Sequence, residues 1–211
     1  MIILPILGID VSEHQGNIDW SRVYKSGIKF AMIRASYGYS NIDKTFSQNA
    51  TNAVKNGVLV GAYHYCYAAD VKSAQIEAYH FLDTIKNYKI QYPIALDIED
   101  KNQDSLSKKS ITDVAFNFLN ILALAKYYVM IYSSVSWFSY KLDDKRLIGY
   151  DHWIAQWGPK NTYDGITGIW QFSNEGVIDG INTPVDLNYG YKNFDDIIKS
   201  RKLNNLSSSS G

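Results

Sequence analysis

The residues best placed to do chemistry in this chain are Asp97 and Glu99, in the stretch Tyr92-Pro93-Ile94-Ala95-Leu96-Asp97-Ile98-Glu99-Asp100. Its first half is apolar enough to be a strand inside a domain. Successive strand side chains alternate faces, so Asp97 and Glu99 point the same way and Ile98 packs on the other side. A rise of ~3.3 Å per residue sets their α-carbons roughly 6–7 Å apart. Two like charges that close, at the end of an apolar strand, resist ionising together, and one pKa rises. A carboxylic acid kept protonated in this way near neutral pH can serve as a general acid. Solvated acids capping a strand end are the plainer reading of the same residues.

The elements that must position this pair follow from the hydrophobic pattern. Strands are expected at residues 6–11, 30–36, 58–67, 92–100, 127–133, 152–157 and 168–172, with an eighth beginning at 184–187. Between the early strands lie amphipathic helices. One opens at Ile18-Asp19-Trp20-Ser21 and stops at Gly27, a second is capped by Asp43, and a third is capped by Asp70. The clearest covers residues 110–126, with Ile111, Val114, Ala115, Phe118, Leu119 and Leu122 on one face. A last helix is expected at 193–199. This alternation argues for parallel βαβ units, and eight strands suggest closure. The expected fold is α/β: a single irregular (β/α) TIM-like barrel with reduced helices in its second half. No Gly-x-Gly-x-x-Gly follows any strand, so the nucleotide signature of an open doubly wound sheet is missing.

In such a barrel the active site lies at the C-terminal strand ends. The polar residues of this chain fall there: Asp10, Arg34, Tyr63, Tyr65, Asp97, Glu99, Tyr132, Trp153, Gln156, Gln171 and Asp186. Arg34 can simply pair with a core acid, the tyrosines can fill the barrel, and Asp186 can cap a turn. Four carboxylates meeting at one mouth are harder to dismiss, because buried like charges destabilise a fold.

Composition narrows the function. The 211 residues are 46% hydrophobic, enough for one domain with a substantial core. Lys plus Arg and Asp plus Glu are both 21, so a net charge of zero gives no attraction to nucleic acid. Aromatics make up 14%, including 17 Tyr and 5 Trp, which suits uncharged polar ligands such as sugars. Cys66 is the only cysteine, so no internal disulfide forms, and its apolar setting marks a core thiol. The apolar N-terminus lacks a basic region and a cleavage site, and no stretch approaches the ~20 apolar residues of a membrane span. Clustered carboxylates can hold a hard cation, but no His joins them at ligand spacing, so neither metal nor cofactor is expected.

Several motifs, in order, carry a resemblance. They are Gly8-Ile9-Asp10-Val11-Ser12 with His14-Gln15-Gly16 and Ile18-Asp19-Trp20, then Gly61-Ala62-Tyr63-His64-Tyr65, Leu96-Asp97-Ile98-Glu99 and Ile131-Tyr132-Ser133-Ser134. Trp153-Ile154-Ala155-Gln156-Trp157, Trp170-Gln171-Phe172-Ser173 and Val185-Asp186-Leu187-Asn188 complete the set. Over residues 6–198 the chain resembles the family 25 glycoside hydrolases, the bacterial and phage lysozymes. One departure is Arg34-Ala35-Ser36-Tyr37-Gly38, where the family often shows a Lys and an acidic residue and Arg34 and Tyr37 fill those places.

The resemblance implies an N-acetylmuramidase that cuts the β-1,4 bond between N-acetylmuramic acid and N-acetylglucosamine in peptidoglycan. It implies Glu99 as general acid, with Asp10, Asp97 and Asp186 completing the catalytic site. Arg34, Tyr37, Tyr63, Tyr65, Tyr132, Trp153, Gln156 and Gln171 are expected to bind the sugar chain. Retaining hydrolysis wants carboxyl groups ~5–5.5 Å apart and inversion ~6.5–9.5 Å, and a strand pair two apart spans both ranges. A route through the substrate's own acetamide, oriented by Asp97, is the favoured expectation, with retention. A chitinase or a non-catalytic carbohydrate-binding barrel are the rivals. Residues 1–200 are expected to form the catalytic domain and 201–211 a Ser-rich linker towards a C-terminal cell-wall-binding module. Synthesis in a host cytoplasm and action on the cell wall, as for a phage endolysin, fit the lack of an export signal.

Overall fold

The computed structural model describes residues 4–206. The strands are β1 (Ile6–Val11), β2 (Phe30–Tyr37), β3 (Asn41–Ile42), β4 (Leu59–Tyr65), β5 (Ile94–Asp97), β6 (Val129–Ser134), β7 (Asp151–Ala155), β8 (Thr167–Gly176) and β9 (Val185–Gly190). The helices are α1 (Trp20–Lys25), α2 (Phe46–Lys55), α3 (Val71–Ile85), α4 (Lys108–Leu124), α5 (Asp144–Leu147) and α6 (Phe194–Ser200). Eight strands close a barrel in the order β1-β2-β4-β5-β6-β7-β8-β9 and back to β1, while β3 adds a short antiparallel edge to β2. The α/β barrel with thin helices in its second half is therefore as expected: between β6 and β7 there is only a π-helical turn, Trp137–Lys141, and the four-residue α5.

The barrel wall is read two residues at a time. Phe30, Met32, Tyr63, Ala95, Met130, Tyr132, Trp153 and Ile169 belong to one buried cluster, in the barrel interior. The intervening Ile9, Ala31, Ile33, Val60, Ala62, Leu96, Ile131 and Ile154 belong to the other cluster, which also holds the inner faces of α2, α3 and α4. On α4, Ile111, Val114, Ala115, Phe118, Leu119 and Leu122 are fully buried. Each of the larger ones contributes roughly 1.5–3 kcal/mol relative to exposure. Gly61 lies where β4 passes Met32 and the Pro93 carbonyl; a Cβ there would sit 2.4 Å from the Met32 sulfur and 2.5 Å from that oxygen. At the opposite end from the strand C-termini, Phe194 and Ile198 of α6 close the barrel, with the Phe194 ring 5.0 Å from Tyr92 and 5.3 Å from Tyr128.

Four expectations need correction. The last barrel strand, β9, runs antiparallel to both β8 and β1. The link 177–184 contains no helix and is too short for the crossover that a parallel strand requires, so the chain turns back as a hairpin. The expected strand at 92–100 narrows to Ile94–Asp97, and Glu99 follows its end. Asp43 does not cap α2 directly: Thr45 holds that position, and the Asp43 carboxylate accepts from the Thr45 and Glu13 backbone N–H groups. The tail packs further than expected, because Asn204 is buried, accepts from the Tyr128 N–H and donates to the Ile90 and Tyr92 carbonyls. Residues 207–211 of the expected linker, and the first three of the N-terminus, lie outside the described residues.

A fully buried chain links α3 to the outer face of the barrel. Ser36 Oγ is 2.8 Å from His64 Nδ1, and His64 Nε2 is 2.9 Å from Glu77 Oε2, which also accepts from the Tyr67 N–H at 3.1 Å. The set has the makeup of a nucleophilic triad, but Ser36 and His64 are 0% and Glu77 1% exposed, so it serves the wall rather than a substrate. Burial holds the His64 pKa below its usual range and the ring neutral.

Candidate active site

At the mouth of the barrel the strand ends surround a cleft of 470 Å³. Asp10, Arg34, Tyr63, Tyr65, Asp97, Glu99, Tyr132, Trp153, Gln171 and Asp186 all line it. Asp97 is the last residue of β5 and sits between Tyr65 of β4 and Tyr132 of β6 in register. Glu99 reaches the same cleft, and Ile98 between them is fully buried on the other side, so strand alternation carries past the end of the ladder. Asp186 arrives by a route the sequence did not suggest. It lies near the start of β9, directly opposite Asp10 of β1, because β9 is antiparallel.

Asp10 is fixed by two amides. Its Oδ2 accepts from Gln171 Nε2 at 2.9 Å and from Asn188 Nδ2 at 2.7 Å. The oxygens of those amides are in turn engaged: Gln171 Oε1 accepts from Tyr132 Oη and Trp157 Nε1, and Asn188 Oδ1 accepts from Trp153 Nε1. Asp97 is the contrast. It is 5% exposed, and its Oδ1 is buried without a hydrogen-bond partner among the described residues.

Four acids in one small cleft cannot all be ionised at neutral pH. Burial, then the Asp186 charge, raises the Asp10 carboxyl well above the usual range, against the two amide donors that lower it. Burial raises Asp97 well above its usual range, with Glu99 and Asp10 adding to the effect and Arg34 opposing it. Glu99 is pushed up to about 7 by burial, then by Asp186 and Asp100. Asp186 is raised by burial, and its hydrogen bond with Asp10 works the other way. Asp10 and Asp186 face each other in register, so the charge of one opposes ionisation of the other.

Arg34 is clamped. Its Nε donates to Asp43 Oδ2 at 2.9 Å and its Nη2 to Glu13 Oε1 at 3.2 Å, and the guanidinium lies 5.0 Å from the Tyr37 ring centroid. Asp43 and Glu13 thus offset its charge before any substrate arrives. Two expected sugar contacts do not line the cleft. Tyr37 packs beside Arg34 and edge-on to Tyr67, and the Gln156 side chain bonds Thr162 through both its oxygen and its nitrogen. Residues not anticipated do line it: Ser12, His14, Gln15, Trp157, Asn174 and Pro184. Ser12 and Gln15 form a reciprocal cap that shapes the β1 rim, and Gln15 reaches the Pro184 carbonyl across the mouth. Among the described residues, no three His, Cys, Asp or Glu side chains converge as metal ligands do, and no helix is long and apolar enough to cross a membrane.

The chain is similar to known proteins in sequence and in fold. YegX of Escherichia coli K12 is 36% identical over 193 residues, 87% of this chain and 68% of its own length. Lysozyme M1 of Streptomyces globisporus is 30% identical over 198 residues, covering 87% of this chain and 67% of its own. The solved structure of the endolysin CTP1L superposes with a TM-score of 0.81 at 31% identity, over 92% of this chain and 70% of that one. The family model for Glycosyl hydrolases family 25 matches residues 9–181, which include Asp10, Asp97 and Glu99. By sequence and by fold, this chain is a member of glycosyl hydrolase family 25.

Proposed function

We propose that the chain is an endo-acting, retaining N-acetylmuramidase that hydrolyses the β-1,4 bond between N-acetylmuramic acid and N-acetylglucosamine in bacterial peptidoglycan. Family membership makes it a glycoside hydrolase of lysozyme type, and its relatives include an autolytic lysozyme of Clostridium acetobutylicum. The observation that carries the finer reading is the pairing of two acids at the end of β5, both raised by burial and both lining the cleft. Glu99, raised to about 7, holds a proton to give. Asp97 offers a buried oxygen with no protein partner, available to an N–H group of the substrate.

In this reading Glu99 delivers its proton to the glycosidic oxygen as the C1–O bond breaks. The carbonyl oxygen of the substrate's own N-acetyl group attacks C1 and forms a cyclic oxazolinium, whose N–H is held by Asp97. Glu99, now a carboxylate, takes a proton from water; the water oxygen bonds to C1, the ring opens, and β configuration is retained. Asp10 and Asp186, opposite each other on β1 and β9, set the field in which this charge moves. Tyr63, Tyr65 and Tyr132 supply aromatic walls for the sugar rings.

Mass spectrometry of fragments released from purified walls tests the reading. Products ending in reducing N-acetylmuramic acid, formed first as the β anomer by NMR, are expected. Reducing N-acetylglucosamine ends or an initial α anomer would overturn it.

A further inference from the structure

Resting on the muramidase reading, we propose that Trp157 and Trp153 are positioning residues whose indole N–H groups lock the Gln171 and Asn188 amides so that both donate to a single oxygen of Asp10. An indole nitrogen donates and never accepts. Trp157 Nε1 lies 3.0 Å from Gln171 Oε1, and Trp153 Nε1 lies 2.7 Å from Asn188 Oδ1. Each amide must turn its oxygen to the indole, which leaves its nitrogen facing Asp10 Oδ2 at 2.9 and 2.7 Å. The Tyr132 hydroxyl, 3.2 Å from Gln171 Oε1, cannot impose this choice, because a phenol donates or accepts. On Gln171 the lock is therefore Trp157.

The lock acts on one of two paired acids. With two N–H groups on Oδ2, a proton on Asp10 can sit only on its far oxygen. The two amides favour the charged form of Asp10, against the burial and the Asp186 charge that raise its carboxyl. The groups facing it are Asp186 from β9, Asp97 from β5, and the phenols of Tyr63 and Tyr132 from β4 and β6. Arg34, from β2, is held by Asp43 and Glu13. The amides thus lower the Asp10 carboxyl, while burial and its acidic neighbours raise it. Trp153 is buried, whereas Trp157 is 59% exposed and lines the cleft, so half of the lock stands at the surface where substrate arrives.

Trp157→Phe keeps an aromatic face, though a smaller one, and removes the N–H. Gln171 is then free to turn its oxygen towards Asp10. A fall in kcat of about tenfold is expected, with KM within about twofold and the acidic limb of the pH profile about one unit higher. The direction follows because losing a donor makes the Asp10 carboxylate harder to form. NMR titration of the Asp carboxyl carbons, which needs no substrate, is expected to show the Asp10 midpoint rising with that limb. Wild-type kcat, limb and midpoint in the variant would overturn the proposal. A rise in KM alone would also overturn it, making Trp157 a sugar platform only. If the wild type releases no muropeptides, the muramidase reading fails, and the NMR midpoint still decides the amide lock.

Discussion

Glu99→Gln separates the chemistry of the site from its cost to the fold. Burial and the charges of Asp186 and Asp100 raise Glu99 from an ordinary 4.5 to about 7. Between those values the folded chain binds more protons than the unfolded chain, so stability falls as pH rises through the window. At about 1.4 kcal/mol per pH unit, the interval from 4.5 to about 7 amounts to ~3 kcal/mol of destabilisation above pH 7. Gln keeps the shape and cannot ionise. At pH 8 the variant is therefore expected to be more stable by up to ~3 kcal/mol, or ~6–12 °C in Tm for a chain of this size. At pH 4, where wild-type Glu99 is protonated in both states, the two melting curves should coincide. Turnover on cell walls is expected to fall by roughly 10²–10⁴ with the loss of the proton donor. Scanning calorimetry from pH 4 to 8, with wall clearance in parallel, reads both effects. A Tm difference independent of pH would refute the raised carboxyl, and clearance near the wild-type rate would refute Glu99 as the acid.

Asp186→Asn removes the charge that does most, after burial, to raise Glu99; the alkaline limb of kcat/KM should move to lower pH, and an unmoved limb contradicts the coupling. Glu77→Ala leaves His64 Nε2 and the Tyr67 N–H without their acceptor in a sealed site. It should cost ~2–4 kcal/mol in urea unfolding while kcat, measured well below Tm, stays within about twofold. Gly61→Ala drives a Cβ against the Pro93 carbonyl and the Met32 sulfur; a loss of ~1–3 kcal/mol is expected, and a variant as stable as the wild type would show that the wall yields there.

How much of this was legible in the sequence depends on how far each signal reaches along the chain. The Asp97–Glu99 pair could be read because alternation along a strand is local, and Ile98 between them proves to be buried. The buried face of α4 could be read for the same reason, its six apolar residues falling at helical spacing. Strand direction is different. Nothing within residues 185–190 says that β9 runs antiparallel; the short link before it and the place left between β8 and β1 decide that. Asp43 shows the same limit, since a residue suited to capping α2 is drawn instead to Arg34 and the Glu13 backbone. The amide lock lies furthest from view, joining Gln171 to Asp10 and Asn188 to Asp10 across separations of 161 and 178 residues. Without those partners the family resemblance makes Gln171 a sugar contact. The Asp97–Glu99 pair is encoded by neighbours along the chain, whereas the amides that bind Asp10 are brought to it only by closure of the barrel. A substitution that leaves every local motif intact, such as Trp157→Phe, can therefore reach the chemistry.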